Sequence, residues 1–186
     1  MLASSFADNV LITDGNDIVV EKLLQPNVTL SNNNNVSCQK LVWGDGKDIS
    51  NTLTQIQNVD VIIAADVVQW PAVIEPLLLT MKKLLSTSKK RPICILGIVA
   101  RNNSTYNMFF EHAKRIGFVN IHKIEYSTFL EDGVVPLECR ENHREGCSTE
   151  IYTLELQLDS DESLDEFTSD DLTIGKEYQY TCSLPC

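Results

Sequence analysis

Val59-Asp-Val-Ile-Ile-Ala-Ala65-Asp66-Val-Val68 is the stretch on which the fold turns. From Val59 to Ala65 it is almost continuously apolar, the pattern of a strand covered on both faces, and such strands belong to parallel sheets. It stops at an acid, Asp66. Downstream, Pro71 to Leu85 places Val73, Leu77, Met81, Leu84 and Leu85 on one helical face, with Lys82, Lys83, Lys89 and Lys90 at the end where cations complement the helix dipole. Pro92 to Val99 reads as a second buried strand. Ser104 to Ile116 follows as a helix, capped by Asn103 or Ser104 and stopped by Gly117. Phe118 to Tyr126 and Glu150 to Leu156 alternate like strands, with a long charged loop between them.

Upstream the same rhythm holds. Val10-Leu-Ile-Thr13 is a short strand ending at the turn cluster Asp14-Gly-Asn-Asp17, after which Ile18, Val19, Leu23 and Leu24 recur at helical spacing. Pro26 and the polar run Ser31 to Asn35 read as a loop, and Cys38 to Trp43 as a strand closed by Gly44-Asp-Gly46. The order β-α-β-(α)-β-α-β-α-β-β points to an α/β sheet with helices on both faces, whose ligands collect beyond the carboxyl ends of the strands.

The 186 residues suffice for one domain with a real core. That domain is expected over residues 1–157, with an acidic, disordered tail over residues 158–186, where eight acids face Lys176 alone. Much of the net charge of −11 therefore sits on the tail. The acidity argues against a nucleic-acid binder, which needs clustered Lys and Arg. The longest apolar runs carry acids and are too short to span a membrane, so no membrane segment is expected. Six cysteines are present, but the start Met1-Leu-Ala-Ser-Ser-Phe-Ala-Asp8 lacks the basic, then apolar, pattern of a secretion signal. Free thiols and a cytoplasmic location, with or without a nuclear pool, are the expectation.

Three strand ends hold groups able to do chemistry. An acid after the first strand, here Asp14, can accept bonds from both hydroxyls of a ribose, or merely make an Asx turn. Trp43 can lie against a flat ring at the same rim or pack in the core. Asp66 caps the following helix or faces the crevice. Together the three point to one rim. Cys139, His143 and Cys147 have no common zinc spacing, so no metal site is expected, and Cys38 and Cys94 read as buried filler. His112 and His122 have no partner in sequence.

The segments Val-Leu-Ile-Thr-Asp14-Gly-Asn, Leu-Val-Trp43-Gly-Asp and Asp60-Val-Ile-Ile-Ala-Ala65-Asp66-Val-Val, the helix Ala72 to Leu85, and Glu150-Ile-Tyr-Thr-Leu resemble the seven-β-strand (class I) protein methyltransferases. More narrowly, they resemble the methyltransferase-like group that uses S-adenosylmethionine to modify lysine side chains of non-histone proteins. The resemblance spans about Leu2 to Leu156. It implies a Rossmann-like sheet, a protein substrate offering a lysine acceptor, and a monomeric enzyme. By position it assigns Asp14 to the cofactor ribose, Trp43 to the adenine pocket, and Ala65 to a small position beside the cofactor. Asp66 matches the first residue of the family's Asp-x-x-Tyr motif, facing the substrate side chain.

Two departures stand out. The motif tyrosine is replaced by Gln69, with the aromatic displaced to Trp70. Gln69 and Trp70 complete the expected catalytic set with Asp66, and Trp70 must turn inward to supply the missing ring. Only thirteen residues precede Asp14, and Met1 to Asn9 contain no glycine, so the family's first strand and its glycine-rich loop are lacking. The resemblance places that strand between those at Val10 and Val59, and its loss is expected to leave two unpaired edges. An alternative start, a spliced form or an incomplete gene model is the expected origin of such a chain. Two other readings compete. A non-catalytic methyltransferase-like interaction module fits the missing loop and Gln69, and a nicotinamide-dependent enzyme explains Asp14 but not Trp43-Gly44.

Overall fold

The computed structural model describes residues 2–125 and 149–157. The segment Cys139 to Cys147, the expected acidic tail and the end of the strand expected to reach Tyr126 lie outside the described residues. The described residues form two compact units, residues 2–57 and residues 58–125 with 149–157. Among the described residues no helix is long and apolar enough to cross a membrane.

In the first unit, β1 (Val10–Asp14) and β2 (Val36–Lys40) pair in parallel, with Asp14 opposite Lys40. The connection is α1 (Asp17–Val19), a π-helical segment (Val20–Leu24) and α2 (Gln25–Ser31). Pro26 was expected to open a loop, yet the helix runs through it. The wider π-helical turns lie immediately before the proline, where an α-helix would set its ring against the carbonyl four residues back. The helix ends instead at Asn32, whose φ of 52° puts it in the left-handed cap conformation. Strand β2 begins and ends earlier than expected, leaving Trp43 in the turn that leads to α3 (Gly46–Gln55). Asp45 caps α3 by accepting the amides of Lys47 and Asp48.

In the second unit the sheet order is β3 (Val61–Ala65), β4 (Ile93–Val99), β6 (Thr149–Leu156), β5 (Phe118–Ile124). Strands β3 and β4 are parallel, whereas β6 is antiparallel to both β4 and β5. Two helices connect them, α4 (Pro71–Leu85) and α5 (Asn103–Ile116). The cap of α5 is Asn102, which accepts the amides of Ser104 and Thr105, one residue before the expected position. Gly117 ends that helix at φ 109°, as its position predicts.

Both helices lie on one face of this sheet. Met81 of α4 meets Cys94, and Phe110 of α5 meets Tyr152, with ring centroids 4.8 Å apart. Cys94 and Tyr152 belong to the same face, because Cys94 pairs with Leu154 and Leu96 with Tyr152. The reason is handedness. The crossovers β3-α4-β4 and β4-α5-β5 advance in the same direction through the sheet, and two right-handed crossovers of the same sense place their helices together. Ile74, Leu77, Leu78, Leu85, Phe109, Ala113, Cys94, Leu96, Ile98 and Leu154 form the buried core on that side. Burial pushes the Cys94 thiol up to about 12, so it is a packing group.

The other face is not covered in the way the apolar run predicts. Val61 is 48% and Ile63 67% exposed. Among the described residues β1 pairs only with β2, and β3 only with β4, so the two expected open edges are present.

A polar lock fastens β6 to its neighbours at the carboxyl end of β4 and β5. Glu150 accepts hydrogen bonds from Tyr106 (2.6 Å) and Tyr152 (2.8 Å) on one oxygen and from Lys123 (2.6 Å) on the other. The two tyrosine hydroxyls also lie within hydrogen-bonding reach of one another, so their two protons are shared among these three contacts. Donation by the Lys123 ammonium, and then by Tyr106, holds Glu150 below its ordinary value of 4.5, while burial acts the other way. Burial, then the bonds to Tyr106 and Glu150, raise Tyr152.

Phe109 is completely buried, and Phe109→Ala is expected to destabilise by about 3–5 kcal/mol in urea unfolding. The lock also sets a pH dependence. Folded Glu150 binds its proton less readily than unfolded, so its contribution is present above pH 4.5 and lost as pH falls through the depressed folded value. Tyr152 works oppositely, its contribution being full below its ordinary value of 10.0 and lost as pH rises through the raised one. Melting curves across pH should therefore show a shallower acid limb for Glu150→Gln than for the parent chain.

Candidate functional site

In the first unit, Asp14 and Trp43 follow the carboxyl ends of paired parallel strands. Asp14 is half-buried, and its Oδ1 accepts the Asn16 amide at 2.8 Å, while its carbonyl accepts the Leu41 amide at 2.9 Å. The Asx turn and the ribose role weighed as alternatives are compatible, since a carboxylate has lone pairs beyond the one this turn uses. Lys40, opposite Asp14, is drawn off to Asp17 at 2.7 Å. Trp43 is partly exposed and is followed by Gly44 at φ 81°, a left-handed turn residue that a larger side chain would strain. A Cβ at Gly15 would stand 3.7 Å from the Leu41 carbonyl oxygen, an ordinary van der Waals contact, so the approach of the two loops does not itself require a glycine there.

In the second unit Ala65 ends β3, and Asp66, Gln69 and Trp70 lie on the segment that leads from it to α4. Asp66 has φ 55°, uncommon for a residue with a side chain, and its amide donates to the Gly97 carbonyl at 2.8 Å. Its carboxylate is gripped by both arms of Arg101, at 2.5 Å to Oδ1 and 2.8 Å to Oδ2. A two-pronged bond of this kind fixes orientation as well as position. The pair is part-exposed, which limits its value to stability. Gln69 turns back to donate to the Asp66 carbonyl at 2.9 Å, and Trp70, at the cap position of α4, is 58% exposed. The inward turn expected of Trp70 is not seen.

Arg101 and the Glu150 lock escaped the sequence reading. Arg101 carried a signal, because β4 lies parallel beside β3 and a residue just past one strand opposes a residue just past the other. The lock did not, since it joins an α5 residue to strands from both sides of a long connection. Asp14 and Trp43 share the rim of one unit, and Ala65, Asp66, Gln69 and Trp70 share the rim of the other. Two clefts lie away from these residues, one at the amino ends of β1 and β2 lined by Asn9, Val10 and Asn35, the other at the amino ends of β4 and β5 lined by Pro92, Asn120 and Glu155. Among the described residues no group of three or more His, Cys, Asp or Glu is placed to hold a metal. Both described cysteines are free thiols, Cys94 buried and Cys38 only partly so.

The chain is 24% identical over 117 residues to the protein-lysine N-methyltransferase EFM3 of Saccharomyces cerevisiae, a match covering 60% of this chain and 32% of that protein. It thus spans about a third of that relative's length. A candidate rRNA methylase from Clostridium thermocellum superposes with a TM-score of 0.49 at 12% identity, covering 81% of this chain and 74% of the other. The CurJ carbon methyltransferase gives 0.45 at 13%, covering 80% and 41%. The family model for lysine methyltransferases matches residues 1–116, more than half of the chain, and the chain belongs to that family.

Proposed function

We propose that this chain carries substrate- and cofactor-binding elements of an S-adenosylmethionine-dependent enzyme that methylates lysine side chains of non-histone proteins in the cytoplasm. The observation that supports it most directly is the placement of Asp14 and Asp66 immediately beyond parallel strands, where α/β folds collect their ligands. When bound, S-adenosylmethionine supplies an electrophilic methyl group on a sulfonium. The donors of the first unit suit it, Asp14 with a carboxylate for the ribose hydroxyls and Trp43 with a ring face for the adenine, and in the second unit Ala65 is the small residue that the resemblance assigns to the cofactor.

Asp66 is the residue that meets the acceptor. Its carboxylate is held by Arg101 along one edge, and the remaining lone pairs are available to an amine. The acceptor would have to be present as a free amine, having shed its ammonium proton, and Asp66 would orient that nitrogen toward the methyl group the cofactor would supply. Alignment is the main contribution that residues of this type can make. A second reading, capture of a lysine side chain without transfer, draws on Gln69, which is tied to the Asp66 backbone and offers no ring to the lysine stem.

Titration calorimetry with S-adenosylmethionine is expected to show Asp14→Ala weakening binding by about 1.5–3 kcal/mol, through loss of charge-assisted bonds. Unchanged affinity would remove Asp14 from the cofactor site. Transfer of a labelled methyl group to a lysine-containing peptide library, with core histones as comparison, tests the reaction itself. Asp66→Ala should lower it roughly 100-fold, the scale expected when alignment is lost. Binding of both ligands without transfer would favour the second reading.

A further inference from the structure

The main chain that carries Trp43 is held by residues that follow it in sequence. Beyond the end of β2, Leu41 donates to the Asp14 carbonyl at 2.9 Å. The next amide, that of Val42, donates instead to Oδ2 of Asp48, at 3.0 Å, in the first turn of α3. The Val42 carbonyl accepts the Asp45 amide at 3.1 Å, which closes a turn with Trp43 second and Gly44 third. Gly44 has φ 81°, and a left-handed third residue is what a type II turn requires. Both polar groups of the residue before the indole are thus fixed by the start of α3.

The start of α3 is itself anchored. Asp45 Oδ1 accepts the amides of Lys47 and Asp48, each at 2.9 Å, and Ile49 is buried. Gln39 of β2 donates to the Thr52 hydroxyl, which donates in turn to the Asp48 carbonyl at 2.8 Å. Asp48 is therefore tied to β2 through its main chain and to the Trp43 turn through its side chain. An acid in the first turn of a helix commonly does no more than complement the dipole, a role that a free carboxylate serves. Here one carboxylate oxygen is committed to an amide outside the helix.

We propose that Asp48 is a positioning residue for Trp43: by holding the Val42 amide it sets the direction in which the indole presents its face, and through that the affinity for the adenine of S-adenosylmethionine. The inference rests on the proposed place of Trp43 in the cofactor site. Asp48 touches neither cofactor nor substrate and acts only through the turn. A ring carried on a turn that is already fixed loses less conformational freedom when a ligand stacks on it, so less of the contact energy is spent on ordering.

The test compares Asp48→Ala with Asp48→Asn in the 186-residue chain labelled with 5-fluorotryptophan. Asparagine keeps a carbonyl oxygen for the Val42 amide and removes the charge, so positioning and dipole roles call for opposite results. Two fluorine resonances are expected from the two tryptophans, assigned with Trp43→Phe and Trp70→Phe. In Asp48→Ala the Trp43 resonance should shift or broaden while that of Trp70 stays, and the Val42 amide should exchange faster with solvent. Calorimetry should show S-adenosylmethionine binding weakened about tenfold, the scale of one hydrogen bond to a charged group. Asp48→Asn should keep a parent-like Trp43 resonance and most of the affinity, and it decides the matter if the alanine variant fails to fold. Three outcomes would overturn the proposal and leave the cofactor reading standing. These are an unchanged Trp43 resonance in Asp48→Ala, an asparagine variant as impaired as the alanine one, and a displaced resonance with unchanged affinity where Asp14→Ala does weaken binding. If the parent chain binds no cofactor, or neither Asp14→Ala nor Asp48→Ala alters its affinity, the cofactor reading falls and this inference falls with it.

Discussion

Main-chain pairing of β4 is the constraint on which the second unit depends. Its amides and carbonyls are taken up on one side by the parallel β3 and on the other by the antiparallel β6. With both edges satisfied, alternate residues Cys94, Leu96 and Ile98 bury fully under α4 and α5 without leaving polar backbone stranded. Among the described residues β3, the strand next to it, has one such partner. Val61 and Ile63 remain exposed although their sequence is that of a buried strand.

The same ladder positions the candidate chemistry. Because β3 and β4 run side by side in register, Ala65 pairs with Gly97, and the residues just beyond them, Asp66 and Arg101, come within hydrogen-bonding distance. Strand β6 enters from the opposite direction and brings Glu150 to the same end, where it gathers Tyr106, Tyr152 and Lys123. Two charged assemblies at one rim follow from strand order and direction. In the first unit, the pairing of β1 with β2 does the corresponding work for Asp14 and Trp43.

The chain belongs to the lysine methyltransferase family, and the resemblance reads its pattern as an acid, a tryptophan and an acid at Asp14, Trp43 and Asp66. What distinguishes this chain within that pattern is the loop after β3. A glutamine hydrogen-bonded to its own loop stands where the resemblance leads one to expect a tyrosine, and the neighbouring indole faces solvent. Arg101 then becomes the dominant partner of Asp66, and the geometry of that carboxylate is set by a guanidinium fork.

Local signals were enough for much of this. Apolar runs, helical spacing and stop residues placed Pro71–Leu85 to the residue and put Gly117 at the end of α5, because propensity, capping and dipole there agree. The positions of Asp14 and Asp66 at strand ends were legible for the same reason. Pro26 was misread because a single-residue rule cannot register the π-helical turns that accommodate it. Coverage of a strand was equally out of reach: Val-Ile-Ile-Ala-Ala has one composition whether one edge is paired or two. The clamp on Asp66 and the lock on Glu150 belong to the tertiary structure alone, since residues 35 and 44 positions apart meet only when the sheet sets their strands and helices side by side.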